Sequence, residues 1–94
     1  MTPAAATPVD RIRDVALQMP ETAERVENGM VVFAVAGVPF ARVDGDTLLL
    51  LAGDGSERAR IDLAGDVDWP LVEDAVAQSW ELAAPPRLLE AGGR

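Results

Sequence analysis

The sequence predicts an α+β domain, a two-layer arrangement in which an antiparallel four-stranded sheet carries N-terminal and C-terminal helices packed on one face. Three observations predict it. Apolar residues recur at helical spacing near both ends, at Val9, Ile12, Ala16 and Met19 and again at Val72, Val76 and Ala83. Residues 30–63 between them break into short β-branched or alternating runs. Those runs are separated by turn signals such as Asn28-Gly29 and Gly45-Asp46.

Each element has a local reason. Residues 1–6 form a tail of small residues. A helix is expected over 7–19: Thr7 caps it, Pro8 suits its first position, and Asp10 sits where a capping-box acid belongs. Pro20 ends it near Gln18, because the residue before a proline is pushed out of the helical region. Glu21 to Asn28 is charged and reads as either a short helical turn or a loop. Met30 to Ala36 is a strand, Gly37-Val38-Pro39 turns the chain, and Phe40 to Asp44 is a half-buried strand. Gly45-Asp46 makes a tight turn into the apolar strand Thr47 to Ala52. Gly53 to Ala59 is a polar loop, and Arg60 to Leu63 alternates again. A second helix is expected over 68–84, with Asp68 as cap, Pro70 in the first turn and Pro85-Pro86 as stop. Residues 85–94 form a tail.

At 94 residues the chain is long enough for one domain and not two, and 49% apolar content is too high for a disordered chain. Sixteen acidic residues oppose eight basic ones, all arginine, for a net charge of −8. Such a body repels phosphate backbones and anionic membranes. The longest strongly apolar run, Leu48 to Ala52, is far short of a membrane span, and residues 1–7 lack the pattern of a secretory signal. A cytoplasmic setting is the expectation.

Composition also argues against most catalysis. His, Cys, Lys and Tyr are absent, so Ser56 and Ser79 have no usual base to activate them, and no thiolate or Cys-ligated metal exists. Ser79 falls on the apolar helix face and reads as a packing residue. Asp44-Gly45-Asp46-Thr47 is similar to a phosphatase aspartate loop but fits a hairpin turn, and no lysine is present to assist. Asp44, Asp46 and Asp54 would hold calcium only if two loops met, since Leu48 occupies a ligand position of the twelve-residue pattern. Gly53-Asp54-Gly55-Ser56 lacks the lysine and following helix of a phosphate loop. No enzyme activity, cofactor or metal is expected.

Three stretches carry a family likeness: VDRIRDVALQMPETAE from Val9, FAVAGVPFARVDGD from Phe33 and WPLVEDAVAQSWELAAPPRL from Trp69. In these the chain resembles the MmcQ/YjbR family of small bacterial proteins, as a shortened member. The resemblance implies a two-layer α+β fold similar to secretion chaperones, and a DNA-binding role as family members are often labelled. In relatives the middle segment carries a further helix where this chain has the loop Gly53 to Ala59. Val38 and Pro86 stand where relatives often place lysine, and with a net charge of −8 this disfavours nucleic acid here.

Five residues are the candidate partner or anion surface: Arg25, Arg42, Arg58, Arg60 and Trp69. Arg42 and Arg60 alternate away from the core side of their strands and are expected to share an open sheet face, either as an anion site or paired with Asp44 and Asp62. Trp69 opens the second helix as a hydrophobic cover or a partner contact, whereas Trp80 has core spacing. Leu48 to Leu51 and Met30 to Val35 are apolar on both faces of their strands, where a half-solvated strand should alternate. Two helices cover one face only. The other is therefore expected to bind a second copy or a protein partner, unless the tail from Pro85, with Leu88 and Leu89, folds over it. Nucleic-acid binding through the arginines and a small-ligand pocket built on carboxylates are the alternatives.

Overall fold

The computed structural model describes residues 8–88, and seven regular elements run through them: α1 (Pro8–Ala16), β1 (Thr22–Glu27), β2 (Met30–Val35), β3 (Val38–Asp44), β4 (Thr47–Leu51), β5 (Glu57–Asp62) and α2 (Trp69–Ala83). The tail over 1–6, the cap expected at Thr7 and residues 89–94 lie outside the described residues.

The fold is α+β with one antiparallel sheet, but that sheet has five strands rather than four, ordered β1-β2-β3-β4-β5. The additional strand is β1, which occupies most of the charged stretch from Glu21 to Asn28. Its charge conceals a regular alternation, with Thr22, Glu24 and Val26 on one side and Ala23, Arg25 and Glu27 on the other. Asn28 and Gly29 both adopt positive φ, at 52° and 80°, which is the two-residue type I′ hairpin geometry that joins twisted antiparallel strands. That turn locks Glu27 opposite Met30 and runs the register back to Thr22 opposite Val35.

The next turn also differs from expectation. It is formed by Ala36 and Gly37, with φ of 50° and 86°, so Val38 and Pro39 belong to β3. Pro39 is tolerated because the register shifts between Phe33 and Ala34, beside the proline that cannot donate to the ladder. Gly45, at φ 60°, opens the Gly45-Asp46 turn between Asp44 and Thr47, so the aspartate-loop look-alike is a hairpin. The four strand connections are all turns or loops, with the helices before and after the sheet, and α1 ends at Ala16, earlier than the expected 19. Leu17 and Met19 still bond back to the Arg13 and Ala16 carbonyls.

The core lies on one side of the sheet. Phe33, Val35, Val43, Leu48 and Leu50 join Ile12 and Ala16 of α1 and Val72, Val76, Trp80 and Ala83 of α2 in a single buried cluster. α2 packs across β3, β4 and β2 and against α1. Asp68 caps α2 by accepting the Leu71 amide at 3.3 Å, and Pro70 occupies the first turn. The Trp80 indole donates to the Pro20 carbonyl at 3.2 Å, tying α2 to the chain leaving α1. Leu88 is 7% exposed and belongs to this same cluster, and Arg87 forks onto Glu21 at 2.6 and 2.9 Å. The segment Pro85 to Leu88 therefore packs on the helix side and does not cover the open face; Leu89 lies outside the described residues.

Candidate functional site

The register assembles a single row across the face opposite the core. Arg25 of β1 stands beside Val32 of β2, Val32 beside Arg42 of β3, Arg42 beside Leu49 of β4, and Leu49 beside Arg60 of β5. With strands about 4.8 Å apart, the arginines repeat about every 9.6 Å along a line of about 19 Å. One residue pair further along the strands lies a second row. It holds Glu27 beside Met30 and, across Thr47, Asp44 and Asp62.

The three arginines have different surroundings. Arg25 forms an ion pair with Glu27, two residues along its own strand. Arg60 forks onto Glu57 at 3.0 and 3.1 Å, and this holds the Glu57 carboxyl below its ordinary range. Arg42 sits at the centre with its Nε buried and without a hydrogen-bond partner. The expected pairing of Arg42 and Arg60 with Asp44 and Asp62 is not seen: Arg60 turns to Glu57, and Asp62 accepts the Ala64 amide at 2.9 Å.

The expected apolar excess on this face is smaller than the sequence suggests. Val32, Ala34 and Leu51 lie outside the core cluster yet are already buried, at 0%, 4% and 2% exposure. Val32 is flanked on both sides by arginines, Arg25 on β1 and Arg42 on β3, a residue type whose aliphatic stem can lie along apolar surface. Met30 and Leu49 remain half-buried. The face is thus a charged surface over a thin apolar base.

The other two candidates lie elsewhere. A register shift between Leu50 and Leu51 puts a bulge in the edge strand, and Arg58 turns to the helix side. There it donates from Nε to the Ser79 hydroxyl at 3.0 Å and from Nη2 to the Ala75 carbonyl at 3.0 Å. Arg58 is a structural tie, and Ser79, fully buried, is its acceptor. Trp69 is half-buried against the core where α1 meets α2, with the Arg11 guanidinium 4.5 Å above its ring. That cation–π contact makes Trp69 a helix-junction cover rather than part of the arginine row.

Sequence reasoning missed the Arg13 ion pairs. Arg13 of α1 forks onto Glu24 of β1 at 2.6 and 2.7 Å and reaches Asp10 at 2.6 Å. Nothing in the sequence signals it, because it joins residues from two elements, one of which reads as a loop. The hydrogen bonds from Arg13 hold the Glu24 carboxyl below its usual range. A carboxylate depressed in the folded state contributes stability above its unfolded pKa, and that contribution is lost as pH falls through the folded value. Glu24→Gln is expected to cost about 1 kcal/mol at neutral pH, a modest figure because both partners are partly exposed. In urea titrations from pH 7 to pH 3, the gap between wild type and variant should close. A gap independent of pH would show that the ion pair contributes nothing.

A groove of about 420 Å³ between the helices is lined by Arg11, Asp14, Val15, Gln18 and Glu73. Among the described residues no three metal-binding side chains gather, so Asp44, Asp46 and Asp54 do not form a carboxylate cluster. Asp54 instead accepts the Ser56 amide and hydroxyl at 2.9 and 2.6 Å, stabilising the β4–β5 loop. No helix among the described residues is long and apolar enough to cross a membrane.

These features define an α+β domain whose most developed site is a surface, the open face of its antiparallel sheet, and not an enclosed cleft. Compared with known proteins, the chain matches no family model, no curated protein and no solved structure.

Proposed function

We propose that the chain is a non-enzymatic interaction module, of MmcQ/YjbR type, that binds protein through the open face of its sheet in a cytoplasmic setting. In this reading the fold is two-layered, with both helices on one face and the other face left for a partner. The observation that carries it is Arg42, a guanidinium in the middle of the sheet whose Nε is buried and unpaired. A buried donor left without a partner costs the fold free energy. A residue kept at such a cost is explained by a ligand that completes it.

The test is a stability measurement. Arg42→Met keeps a long apolar stem while removing the buried, unpaired Nε donor. It is expected to stabilise the isolated domain by about 1 kcal/mol, a rise in Tm of about 4–8 °C. The protein is kept dilute, so that association does not contribute. A clear loss of stability would make Arg42 a structural residue and remove the main support for the reading.

Three arginines in line also favour a second reading, nucleic-acid binding. Interleaved Glu27, Asp44, Glu57 and Asp62 weigh against it, since each repels a phosphate backbone. Titrating a short DNA duplex at low ionic strength separates the two readings. The interaction module predicts no binding, whereas a complex that weakens steeply with added salt would establish the second.

A further inference from the structure

We infer, on the reading that the open sheet face is an interaction surface, that its partner is a second copy of this chain, docked face to face about a two-fold axis. The face carries a repeated pattern. On each odd strand an arginine is followed two residues later by an acid on the same side: Arg25 and Glu27 on β1, Arg42 and Asp44 on β3, Arg60 and Asp62 on β5. The arginines form one row and the acids the next, about 6.8 Å away along the strands.

Such a face is complementary to itself. Consider an axis lying in the plane of the face, across the strands and midway between the two rows. Rotation by half a turn about it keeps each strand over its own counterpart and exchanges the rows. Arg42 then lies over Asp44 of the partner subunit, and Asp44 over Arg42 of the partner subunit. Arg60 meets Asp62 of the partner subunit, and Arg25 meets Glu27 of the partner subunit. Val32 falls opposite Met30 of the partner subunit and Leu49 opposite Thr47 of the partner subunit, so apolar and neutral positions also correspond. The interface is isologous, as two-fold contacts must be.

Three further features favour this occupant. Arg42 is nearest the middle of the sheet, where the twist of two stacked sheets displaces facing residues least, and it is the arginine of the row with a buried, unpaired Nε. An acidic protein or a nucleic acid would meet a face on which Glu27, Asp44, Glu57 and Asp62 outnumber the three arginines, whereas a second copy brings each arginine of the row a carboxylate of the facing row. The footprint, about 19 Å by 20 Å or roughly 400 Å² on each partner, is that of a weak, transient contact, so the dimer should exchange with monomer on dilution and loosen as salt rises.

The experiment uses charge exchange in the full chain, read as solution mass by sedimentation. Wild type should shift towards twice its 9.9 kDa as concentration rises at low ionic strength. Arg42→Glu and Asp44→Arg should each weaken self-association on the order of a hundredfold, because each places like charges together twice across the axis. Mixing the two monomeric variants should restore a dimer, since the acidic face of one now meets the basic face of the other. Circular dichroism shows whether each variant is folded. If Arg42→Glu does not fold, Arg60→Glu with Asp62→Arg, both exposed on the edge strand, carries the same test with a smaller expected effect. A wild type that stays monomeric at every concentration overturns the second copy as partner, yet leaves the Arg42→Met result to decide the interaction reading. A dimer that persists in both variants, or that the mixture fails to restore, also overturns the inference, because the contact then lies on another surface.

Discussion

Phe33→Ala should destabilise the domain by about 3–5 kcal/mol, the range for emptying a buried aromatic site. Phe33 is fully buried in β2 on the core face, with Ala41 as its cross-strand neighbour on β3 and Leu50 beyond it on β4. A large side chain beside a small one is how this layer interdigitates with α2, and Ala41 cannot grow to fill the void left behind. A chain of this size has little stability to spare, so the loss should lower Tm by about 15–30 °C and leave the variant close to unfolded at room temperature. Phe33→Leu retains most of the buried volume and should cost far less. Thermal melts of the two variants check this together. Equal, small losses would mean that α2 is not seated on this part of the sheet.

Gly53→Ala is the second large effect, and it arises by crowding rather than by loss. A Cβ at Gly53 would stand 2.5 Å from the Leu82 carbonyl oxygen and 3.4 Å from its carbonyl carbon, both backbone atoms of α2. Backbone cannot swing aside as a side chain can. The chain leaving β4 must therefore move off the last turn of the helix, disturbing Ala83 and Ala84, which close the core there. Overpacking of this kind costs about 1–3 kcal/mol. Urea denaturation should show a lower midpoint with little change in slope. A neutral result would show that the β4–β5 loop does not rest against α2. Gly53 differs in this from Gly29 and Gly45, where the requirement is positive φ and no atom lies within 4 Å of the added carbon.

The proposed dimer and these stability effects are connected through the sheet. Its core face spends the apolar residues of β2 and β4 on the helices. Its other face keeps charge at a cost, because β1, β3 and β5 present arginine and acid there in step. Most of the monomer's stability is therefore set by one face of these strands and the identity of the partner by the other.

How much of this was legible in the sequence differs by element. Both helices, the greater part of the antiparallel strands from Met30 to Asp62 and the Gly45-Asp46 hairpin follow from local pattern, because spacing and turn chemistry act within a few residues. Val38-Pro39, read as turn, and Glu57 to Ala59, read as loop, are strand because their partners β2 and β4 pair with them. The outward alternation of Arg42 and Arg60 was readable for the same reason. β1 was not, because its charged residues suit an exposed edge strand, and only pairing with β2 through Asn28-Gly29 makes it one. Arg58 likewise left the row only because a bulge, a property of two paired strands, turned it towards Ser79 and Ala75. The sequence by itself determined the fold class, the acidic surface and the lack of the usual catalytic side chains. Tertiary structure alone decided the fifth strand, the alignment of Arg25, Arg42 and Arg60 into one row, and the buried, unpaired Nε of Arg42 at its centre. The physical reason is that register and burial are set by contacts between segments far apart in the chain, which no local pattern of residues records.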